Sequence, residues 1–307
     1  MKLTTKHILG LEGLSPQEIS FILDTADSLK EISSRNIQEL PKLKGRTIIN
    51  LFYEPSTRTR TSFEIAGKRL GADVINFNFS TSSMSKGETL KDTVVNLQAM
   101  NPDIIVIRHS APGTARLLAE NVAASVINAG DGPHEHPTQA LLDLLTIREN
   151  RGTIKGQRVA IIGDIAHSRV ARSDIWGLKK MGAEVRVVGP PTMIPPRIEK
   201  MGVKVCPRVA EAIKDVDVVI CLRIQLERQK KYLLPSLGDY ARFFGINPDM
   251  LSGAKKNVMI MHPGPINRGV EIASEVADGK RSFILDQVAN GVVIRMALFY
   301  LLAGESE

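Results

Sequence analysis

The sequence predicts an α/β protein with two doubly wound domains, each built on a central parallel sheet flanked by helices. The length of 307 residues exceeds the usual size of one hydrophobic core, which favours two domains over one large barrel. Short apolar, β-branched runs alternate with segments of helical period, and this scheme occurs in both halves of the chain. Strands that are apolar throughout and separated by helices are typical of parallel sheets covered on both faces.

The predicted strands are short apolar runs bounded by polar residues or glycine. In the first half of the chain they are RTIINLFY (46–53), ADVINFNF (72–79), DIIVIRH (103–109) and ASVINA (124–129). In the second half they are QRVAIIG (157–163), AEVRVVG (183–189), VKVC (203–206), DVVICL (217–222) and NVMIMH (257–262).

The joint between the domains is predicted in the helical segment 137–150, which ends at the glycine-containing and charged stretch RGTIKG. We therefore expect a first domain of residues 1–136, an interdomain helix over 137–150 and a second domain of residues 151–285. The C-terminal helix, 286–307, is too apolar to stand alone and is expected to pack across the first domain.

Composition excludes several classes of function. The formal charge is +7, from 40 basic and 33 acidic side chains, and only 5% of residues are aromatic. Nucleic-acid binding requires clustered Lys and Arg interleaved with stacking rings, and the sequence has no such stripe. A modest basic excess fits small anionic substrates better.

Cysteine usage and hydropathy predict a cytoplasmic protein. Cys206 and Cys221 lie in apolar runs, without CxxC spacing or histidines at zinc-ligand intervals, which indicates buried reduced thiols. The N-terminus lacks a long apolar core, and the C-terminal run VVIRMALFYLLAG is shorter than a membrane span and is interrupted by Arg295. We expect no export signal, no membrane segment and no metal site.

The segment PSTRTR directly follows the first predicted strand. Ser56, Thr57 and Thr59 can cap a helix, and Arg58 lies among them. Free backbone N–H groups and the helix dipole attract phosphate at such a position, and arginine adds bidentate charge. The alternative is an ordinary N-cap with surface arginines, and the segment is not a Walker loop because GxxxxGK[ST] is absent.

Two further polar groups follow strands of the first half. Arg108 lies near the end of the third predicted strand, where a buried charge requires an anion or a partner. His136 follows the fourth strand, with Gln139 one turn further on, so both side chains can face one ligand. A structural ion pair for Arg108 and a structural role for His136 are the alternatives.

The second half places cations at equivalent points. Arg169 is predicted at a helix start, which is unfavourable for a cation unless an anion faces it. Arg223 and Gln225 follow another strand with a spacing of two, so their side chains share a side if the backbone is extended, although a solvated arginine is the alternative. The turn after the fifth strand lacks GxGxxG, which argues against a dinucleotide. The loop HPGP ends the last strand and is typical of a rigid segment that offers backbone carbonyls and can contain a cis proline.

Six motifs of the sequence together resemble those of one protein family. FYEPSTRTRTSFE, KGETLKDT, HPTQALLD, GDIAHSRVARS, LRIQLER and HPGPINRG occur in the order and at the spacing of the aspartate/ornithine carbamoyltransferase family, and the resemblance covers essentially all 307 residues. The ornithine branch typically carries HPCQ where this chain has HPTQ, HCLP where it has HPGP, and an SMG motif that is missing here. The chain therefore resembles the aspartate branch more closely.

The resemblance implies a role for each matching residue. Ser56, Thr57, Arg58 and Thr59 would bind the phosphate of carbamoyl phosphate, Arg108 would reach its phosphate and carbonyl, and His136 and Gln139 would contact its carbamoyl group. Gly264 and Pro265 match a loop whose backbone holds the carbamoyl amine, although many relatives have leucine at the position of Gly264. Arg169, Arg223 and Gln225 match the positions that hold the carboxylates of aspartate.

The resemblance also implies a homotrimer with shared active sites. Ser82 and Lys86 match a loop that enters the neighbouring subunit's site in the family, and Lys86 would serve aspartate binding and catalysis. The implied catalytic groups are thus Arg58, Thr59, Lys86, Arg108 and His136, with no cofactor. The HPGPINRG form is similar to that of relatives that work with regulatory chains or a dihydroorotase.

The implied reaction is carbamoyl transfer from carbamoyl phosphate to the α-amino group of L-aspartate, an early step of de novo pyrimidine biosynthesis. It needs two mutually repelling anions held together and donors aimed at a developing oxyanion, which explains the many arginines. A carbamoyltransferase for ornithine or an acylated relative would need a partner for the substrate's far-end cation. An inactive scaffold should have lost ligand residues, and the motif residues are all present.

Overall fold

The computed structural model describes residues 3–34, 40–78, 90–224 and 236–303. The chain divides into two compact units, the first formed by Met1–Leu142 with Ala289–Glu307 and the second by Asp143–Val288. We call them unit 1 and unit 2. The division falls within the helix that begins at Pro137.

Unit 1 contains a four-stranded sheet in the described part of the chain, with strands in the order β2-β1-β3-β4 and every pair parallel. Its strands are β1 (Thr47–Phe52), β2 (Asp73–Asn78), β3 (Ile104–His109) and β4 (Ser125–Asp131). Its helices are α1 (Pro16–Ser34), α2 (Thr57–Arg69), α3 (Leu90–Ala99), α4 (Thr114–Ala119), the first part of α5 (Pro137–Arg151) and most of α10 (Ile284–Ala303).

Unit 2 contains a five-stranded sheet in its described part, in the order β7-β6-β5-β8-β9, again with parallel neighbours. Its strands are β5 (Arg158–Ile162), β6 (Glu184–Val188), β7 (Lys204–Val205), β8 (Val218–Cys221) and β9 (Met259–Met261). Its other helices are α6 (Arg169–Lys180), α7 (Val209–Ala212), α8 (Leu237–Phe244) and α9 (Ser274–Ala277).

The predicted fold class is confirmed, and each predicted strand is found within three residues of its expected bounds. Most strands are recognisable because their side chains are largely buried, whereas the described side chains of β2 and β7 are exposed or half-buried. β4 is buried along its whole length, and β8 and β9 likewise. The apolar sequences of β8 and β9 match this burial, whereas β4 also buries the polar side chains of Ser125, Asn128 and Asp131.

Each sheet has a topological switch point, at which the strand order reverses. In unit 1 the strand order turns between β1 and β3, and in unit 2 it turns between β5 and β8. Ligands of open parallel sheets bind outside the carboxyl ends of the strands at such a reversal, because the loops on its two sides diverge and leave a crevice.

The cysteine prediction is also confirmed. Cys206 and Cys221 are free thiols, and both are buried. Burial raises the pKa of each thiol above its ordinary value, most strongly for Cys221, so neither is activated as a nucleophile.

Helix α10 lies close to the predicted C-terminal helix 286–307, but the expectation that the apolar run is too short for a membrane span does not hold for the whole helix. It has 20 residues and is long and apolar enough to cross a membrane, with 56% of its most apolar window buried within the protein. The core helix of a soluble protein meets the same criteria. Arg295 in its interior is 3% exposed and donates to Ser62 Oγ at 3.0 Å and to Thr138 Oγ1 at 3.4 Å, so this side of α10 packs on the protein.

Candidate active site

The N-terminus of α2 carries the predicted phosphate-binding segment directly after β1. Ser56 occupies the N-cap position with φ of −160° and ψ of 86°, but its hydroxyl makes no capping hydrogen bond. Thr57 and Arg58 are exposed, and Ser56 and Thr59 are half-buried. The first-turn N–H groups of a helix have no intrahelical partners, so this end offers donors and a favourable dipole for an anion.

Arg108 lies at the carboxyl end of β3, beside β1. Its Nε is 3.3 Å from Glu54 Oε2, and its Nη1 donates to the Ala129 carbonyl at 3.2 Å. The guanidinium therefore extends from the loop after β1 to β4, and the structural ion pair considered from the sequence is present. These contacts fix the guanidinium next to the reversal point of the sheet.

His136 is brought to the same edge of the sheet by a buried polar turn after β4. Asp131 organises this turn: its Oδ1 accepts from Asn128 Nδ2 at 2.8 Å and from the Glu135 N–H at 3.1 Å. His136 is 5% exposed, and its carbonyl accepts the Gln139 N–H at 3.0 Å in the first turn of α5. Sequence reasoning missed Asn128 and Asp131, because a polar pair within β4 has no motif of its own.

Three consecutive neighbours in the unit 1 sheet thus end in candidate groups. The STRTR segment follows β1, Arg108 ends β3, and His136 follows β4. Parallel strands have their carboxyl ends at one edge, so the three motifs meet there although up to about 80 residues separate them.

Unit 2 repeats this arrangement around its own reversal point. Arg169 is the first residue of α6, after β5, and is only 3% exposed. Ser168 caps this helix by accepting the Ala171 N–H at 3.1 Å. Arg223 follows the adjacent β8 and is half-buried. A buried cation at a helix N-terminus opposes the dipole, so it requires an anionic group close to it.

The loop after β9 completes the same edge of the unit 2 sheet. The Gly264–Pro265 peptide is cis, as the composition allowed, and Gly264 has φ of 64°, in the left-handed region that favours glycine. The Gly264 N–H donates to His262 Nδ1 at 2.8 Å. Because Nδ1 accepts, the proton of the neutral ring lies on Nε2, which is 3.2 Å from Glu271 Oε1.

Glu271 is a third residue that sequence reasoning missed. It is 2% exposed, and its Oε1 also accepts the Asn267 N–H at 2.5 Å. Asn267 in turn donates to the Ile224 carbonyl at 3.5 Å, next to Arg223. One buried carboxylate thus ties the loop after β9 to the end of β8.

Ser82, Lys86 and Gln225 lie outside the described residues. Their predicted roles stay predictions.

One cluster within the described residues has metal-ligand chemistry. Potential ligand atoms of Glu12, His134 and Glu135 lie within 4.8 Å of one another. Glu135 accepts the N–H groups of Leu11 and Glu12 at 2.7 and 3.2 Å, and His134 Nδ1 is 3.0 Å from Asp131. These contacts give the cluster a structural role at the N-terminus of the chain.

The candidate groups of unit 1 and those of unit 2 share one chemistry. Each offers arginines, helix N-terminal N–H groups and neutral donors at the carboxyl edge of a parallel sheet. Such groups bind and orient anions, and none of the described ones is an activated nucleophile. The fold and these groups define a two-unit α/β protein for the binding of small anionic substrates.

Comparison with known proteins identifies the family. Residues 6–149 match the family model for the aspartate/ornithine carbamoyltransferase carbamoyl-P binding domain, and residues 155–302 match that for the Asp/Orn binding domain. The chain therefore belongs to the aspartate/ornithine carbamoyltransferase family, as its motifs predicted, and is a carbamoyltransferase.

Relatives and solved structures resemble the chain over nearly its whole length. It is 62% identical to an aspartate carbamoyltransferase catalytic subunit of Geobacter sulfurreducens, covering 97% of this chain and 96% of that one. It is 60% identical to that of Syntrophus aciditrophicus, covering 100% of both. Aspartate transcarbamoylase from Trypanosoma cruzi, in complex with carbamoyl phosphate and aspartate, is 30% identical with a TM-score of 0.87, covering 98% of this chain and 95% of that one. Ornithine carbamoyltransferase from Pyrococcus furiosus is 30% identical with a TM-score of 0.89 and full coverage of both chains. Overall fold thus does not separate the two branches, whereas sequence identity favours the aspartate branch.

Proposed function

We propose that this chain is the catalytic subunit of an aspartate carbamoyltransferase. It transfers the carbamoyl group of carbamoyl phosphate to the α-amino group of L-aspartate, giving N-carbamoyl-L-aspartate and phosphate, an early step of de novo pyrimidine biosynthesis. The observation that carries the proposal is the placement of the motif residues at the reversal point of each sheet. PSTRTR follows β1 and Arg108 lies at the carboxyl end of β3, while Arg169 and Arg223 follow β5 and β8.

Carbamoyl phosphate is assigned mainly to the residues of unit 1, corresponding to the predicted domain 1–136 with 286–307. Ser56, Thr57, Arg58 and Thr59 bind its phosphate with the N–H groups of α2. The Ser56 hydroxyl supports this role because no capping bond occupies it. Arg108, His136 and Gln139 face the carbamoyl group, which the backbone at Gly264 and Pro265 holds through its amine.

Aspartate is assigned mainly to unit 2, corresponding to the predicted domain 151–285. Arg169 and Arg223 pair with its carboxylates, together with Gln225 and Lys86. The burial of Arg169 supports this assignment, since a buried guanidinium at a helix N-terminus is stabilised when an anion faces it.

The chemistry requires no acyl-enzyme intermediate. The uncharged α-amino group attacks the carbamoyl carbon, negative charge develops on the carbamoyl oxygen, and phosphate leaves when the tetrahedral intermediate collapses. Thr59, Arg108 and His136 donate to that oxygen, and the departing phosphate accepts the amine proton. His136 acts as a hydrogen-bond donor, so the rate derives from positioning and from preorganised charge.

We also propose a cytoplasmic homotrimer with shared sites. Ser82 and Lys86 of one chain complete the site that contains Arg58 of the next, as the resemblance implies. A ring of this kind is a heterologous, closed C3 contact. Regulatory chains or a dihydroorotase are candidate partners for such a trimer.

A substrate-dependence assay tests the proposed function. Phosphate release from carbamoyl phosphate is measured with L-aspartate, with L-ornithine and with neither. We expect release above background with aspartate only, in equal amount with N-carbamoyl-L-aspartate. Release with ornithine would assign the chain to the other branch, and inactivity of a folded, trimeric preparation with both would favour a scaffold.

A further inference from the structure

The buried carboxyl group of Asp174 has no role in the reaction just described. It lies on α6 and is 1% exposed. Within the part of the chain that the structure describes, no N–H or hydroxyl group donates to either of its oxygens. Its hydrogen-bonding neighbour is the carboxyl group of Asp143, on α5, which is 2% exposed.

Two buried carboxyl groups in contact cannot both be ionised. Each negative charge would lose its hydration and repel the other, whereas one proton between them converts repulsion into a carboxylic acid–carboxylate hydrogen bond. Asp143 Oδ1 accepts from Gln287 Nε2 at 2.6 Å, which stabilises a carboxylate on Asp143. The proton therefore lies on Asp174. Burial, and then the charge and hydrogen bond of Asp143, raise the pKa of Asp174 well above its ordinary value.

Gln287 relays this pair to the loop after β9. It is 2% exposed, and its orientation is fixed because its amide nitrogen faces the carboxylate of Asp143 while its Oε1 accepts the His262 N–H at 2.9 Å. His262 Nδ1 then accepts the Gly264 N–H at 2.8 Å. Hydrogen bonds thus link Asp143, through Gln287 and His262, to the backbone of Gly264, and all but the last are buried.

We propose that Asp143 and Asp174 share one proton and that this pair, through Gln287, positions the backbone of residues 262–265. The functional part of this inference rests on the proposed function, which gives the backbone at Gly264 and Pro265 the task of holding the carbamoyl amine. Asp143, Asp174 and Gln287 are then positioning residues. They support residues 262–265 through hydrogen bonds. The shared proton prevents repulsion between the carboxyl groups of Asp143 and Asp174.

The shared proton has a predicted pH signature. An unfolded aspartate releases its proton at a pH of about 4, so the stability contributed by the pair is complete below that pH and is lost as the pH rises toward the raised folded pKa. Asp143 is the charged group whose field acts on Asp174. Asp174→Asn retains a donor toward Asp143 but removes the titration, so it should gain stability relative to wild type as the pH rises.

The first experiment measures thermal unfolding of wild type and Asp174→Asn at pH 5, 6, 7 and 8. The advantage of the variant should grow by at least about 2 °C over this range, whereas Glu275→Gln, which removes an exposed carboxylate of the same unit, should give a constant difference. An advantage of Asp174→Asn that stays constant with pH would overturn the shared proton. This experiment uses no substrate.

The second experiment tests the relay with Gln287→Met, which has similar length but leaves the His262 N–H without its acceptor. Amide hydrogen exchange of a peptide covering 259–266 should accelerate at least tenfold, and the KM for carbamoyl phosphate should rise about fivefold or more while the KM for aspartate changes less than twofold. Asp174→Asn, the conservative change, should preserve slow exchange. Unchanged exchange in Gln287→Met would overturn the positioning role. If wild type shows slow exchange but no carbamoyl transfer, the proposed function fails and the structural relay stands.

Discussion

Replacing Arg58 by alanine perturbs the proposed phosphate site with little expected effect on folding. Arg58 is the second residue of α2 and is exposed, so its side chain covers no core and the helix gains intrinsic propensity from alanine. We expect the main loss to fall on ligand binding. A charge-assisted contact to a phosphoryl group in the transition state contributes roughly 2–4 kcal/mol, which corresponds to a decrease in kcat/KM of about 30- to 1,000-fold.

The assay for this prediction is steady-state phosphate release with both substrates varied. Arg69→Ala is the matched control, since Arg69 is an exposed arginine at the other end of the same helix and carries the same charge. It should retain activity within about twofold of wild type, because charges outside the site contribute little. Activity of Arg58→Ala within threefold of wild type, with unchanged circular dichroism, would refute the assignment of this helix end to phosphate.

Three further predictions test other parts of the molecule. Arg223→Ala should raise the KM for aspartate at least tenfold and leave carbamoyl phosphate binding, measured by titration, nearly unchanged. The control Arg208→Ala, at an exposed site, should alter neither. Equal weakening of both ligands would mean that Arg223 is misassigned. Arg295→Ala should lower the Tm by roughly 4–8 °C, because it removes a buried guanidinium that stacks on the Phe63 ring and leaves the hydroxyl partners of that guanidinium unsatisfied. A Tm shift below 1 °C in calorimetry would contradict this role. Lys86→Ala and Arg58→Ala chains should each be inactive alone, but an equal mixture that is unfolded and refolded should recover roughly a quarter of wild-type activity. The reason is that each mixed ring has one interface with both residues intact. Mixed trimers without activity would show that each site is built within one chain.

The sequence predicts the strands well because burial on both faces leaves a strong signal. The runs IIVI in β3 and VVIC in β8 are buried at every position, so any polar residue there would be costly. The cations that follow these strands, Arg108 and Arg223, are conspicuous for the same reason. Chemistry at strand ends can therefore be predicted without knowing which strands are neighbours.

The hydrogen-bond partners that support the site could not be predicted in this way. Gln287 and Asp143 are 144 positions apart, and an ordinary helical glutamine gives no local indication that its amide joins a carboxylate to a strand end. Asp174 is similar, since an acidic residue on a helix is usually solvated. Only the tertiary packing shows that it is buried beside a second carboxyl group.

The buried Arg295 has a structural role that its position in the sequence did not indicate. In the sequence it interrupts an apolar run and argues against a membrane span. In the structure its guanidinium joins Ser62 on α2 to Thr138 on α5, and burial lowers its pKa to about 9. It thereby connects the two helices that begin within the PSTRTR and HPTQ motifs.

A competition experiment tests the central claim most directly. Carbamoyl phosphate labelled with ¹³C in the carbamoyl group is supplied with equal concentrations of L-aspartate and L-ornithine, and the products are identified by mass spectrometry alongside released phosphate. We predict that the label appears on the α-amino nitrogen of aspartate, one carbamoyl group for each phosphate. Label on ornithine, or phosphate released without a carbamoylated amino acid, would contradict the account.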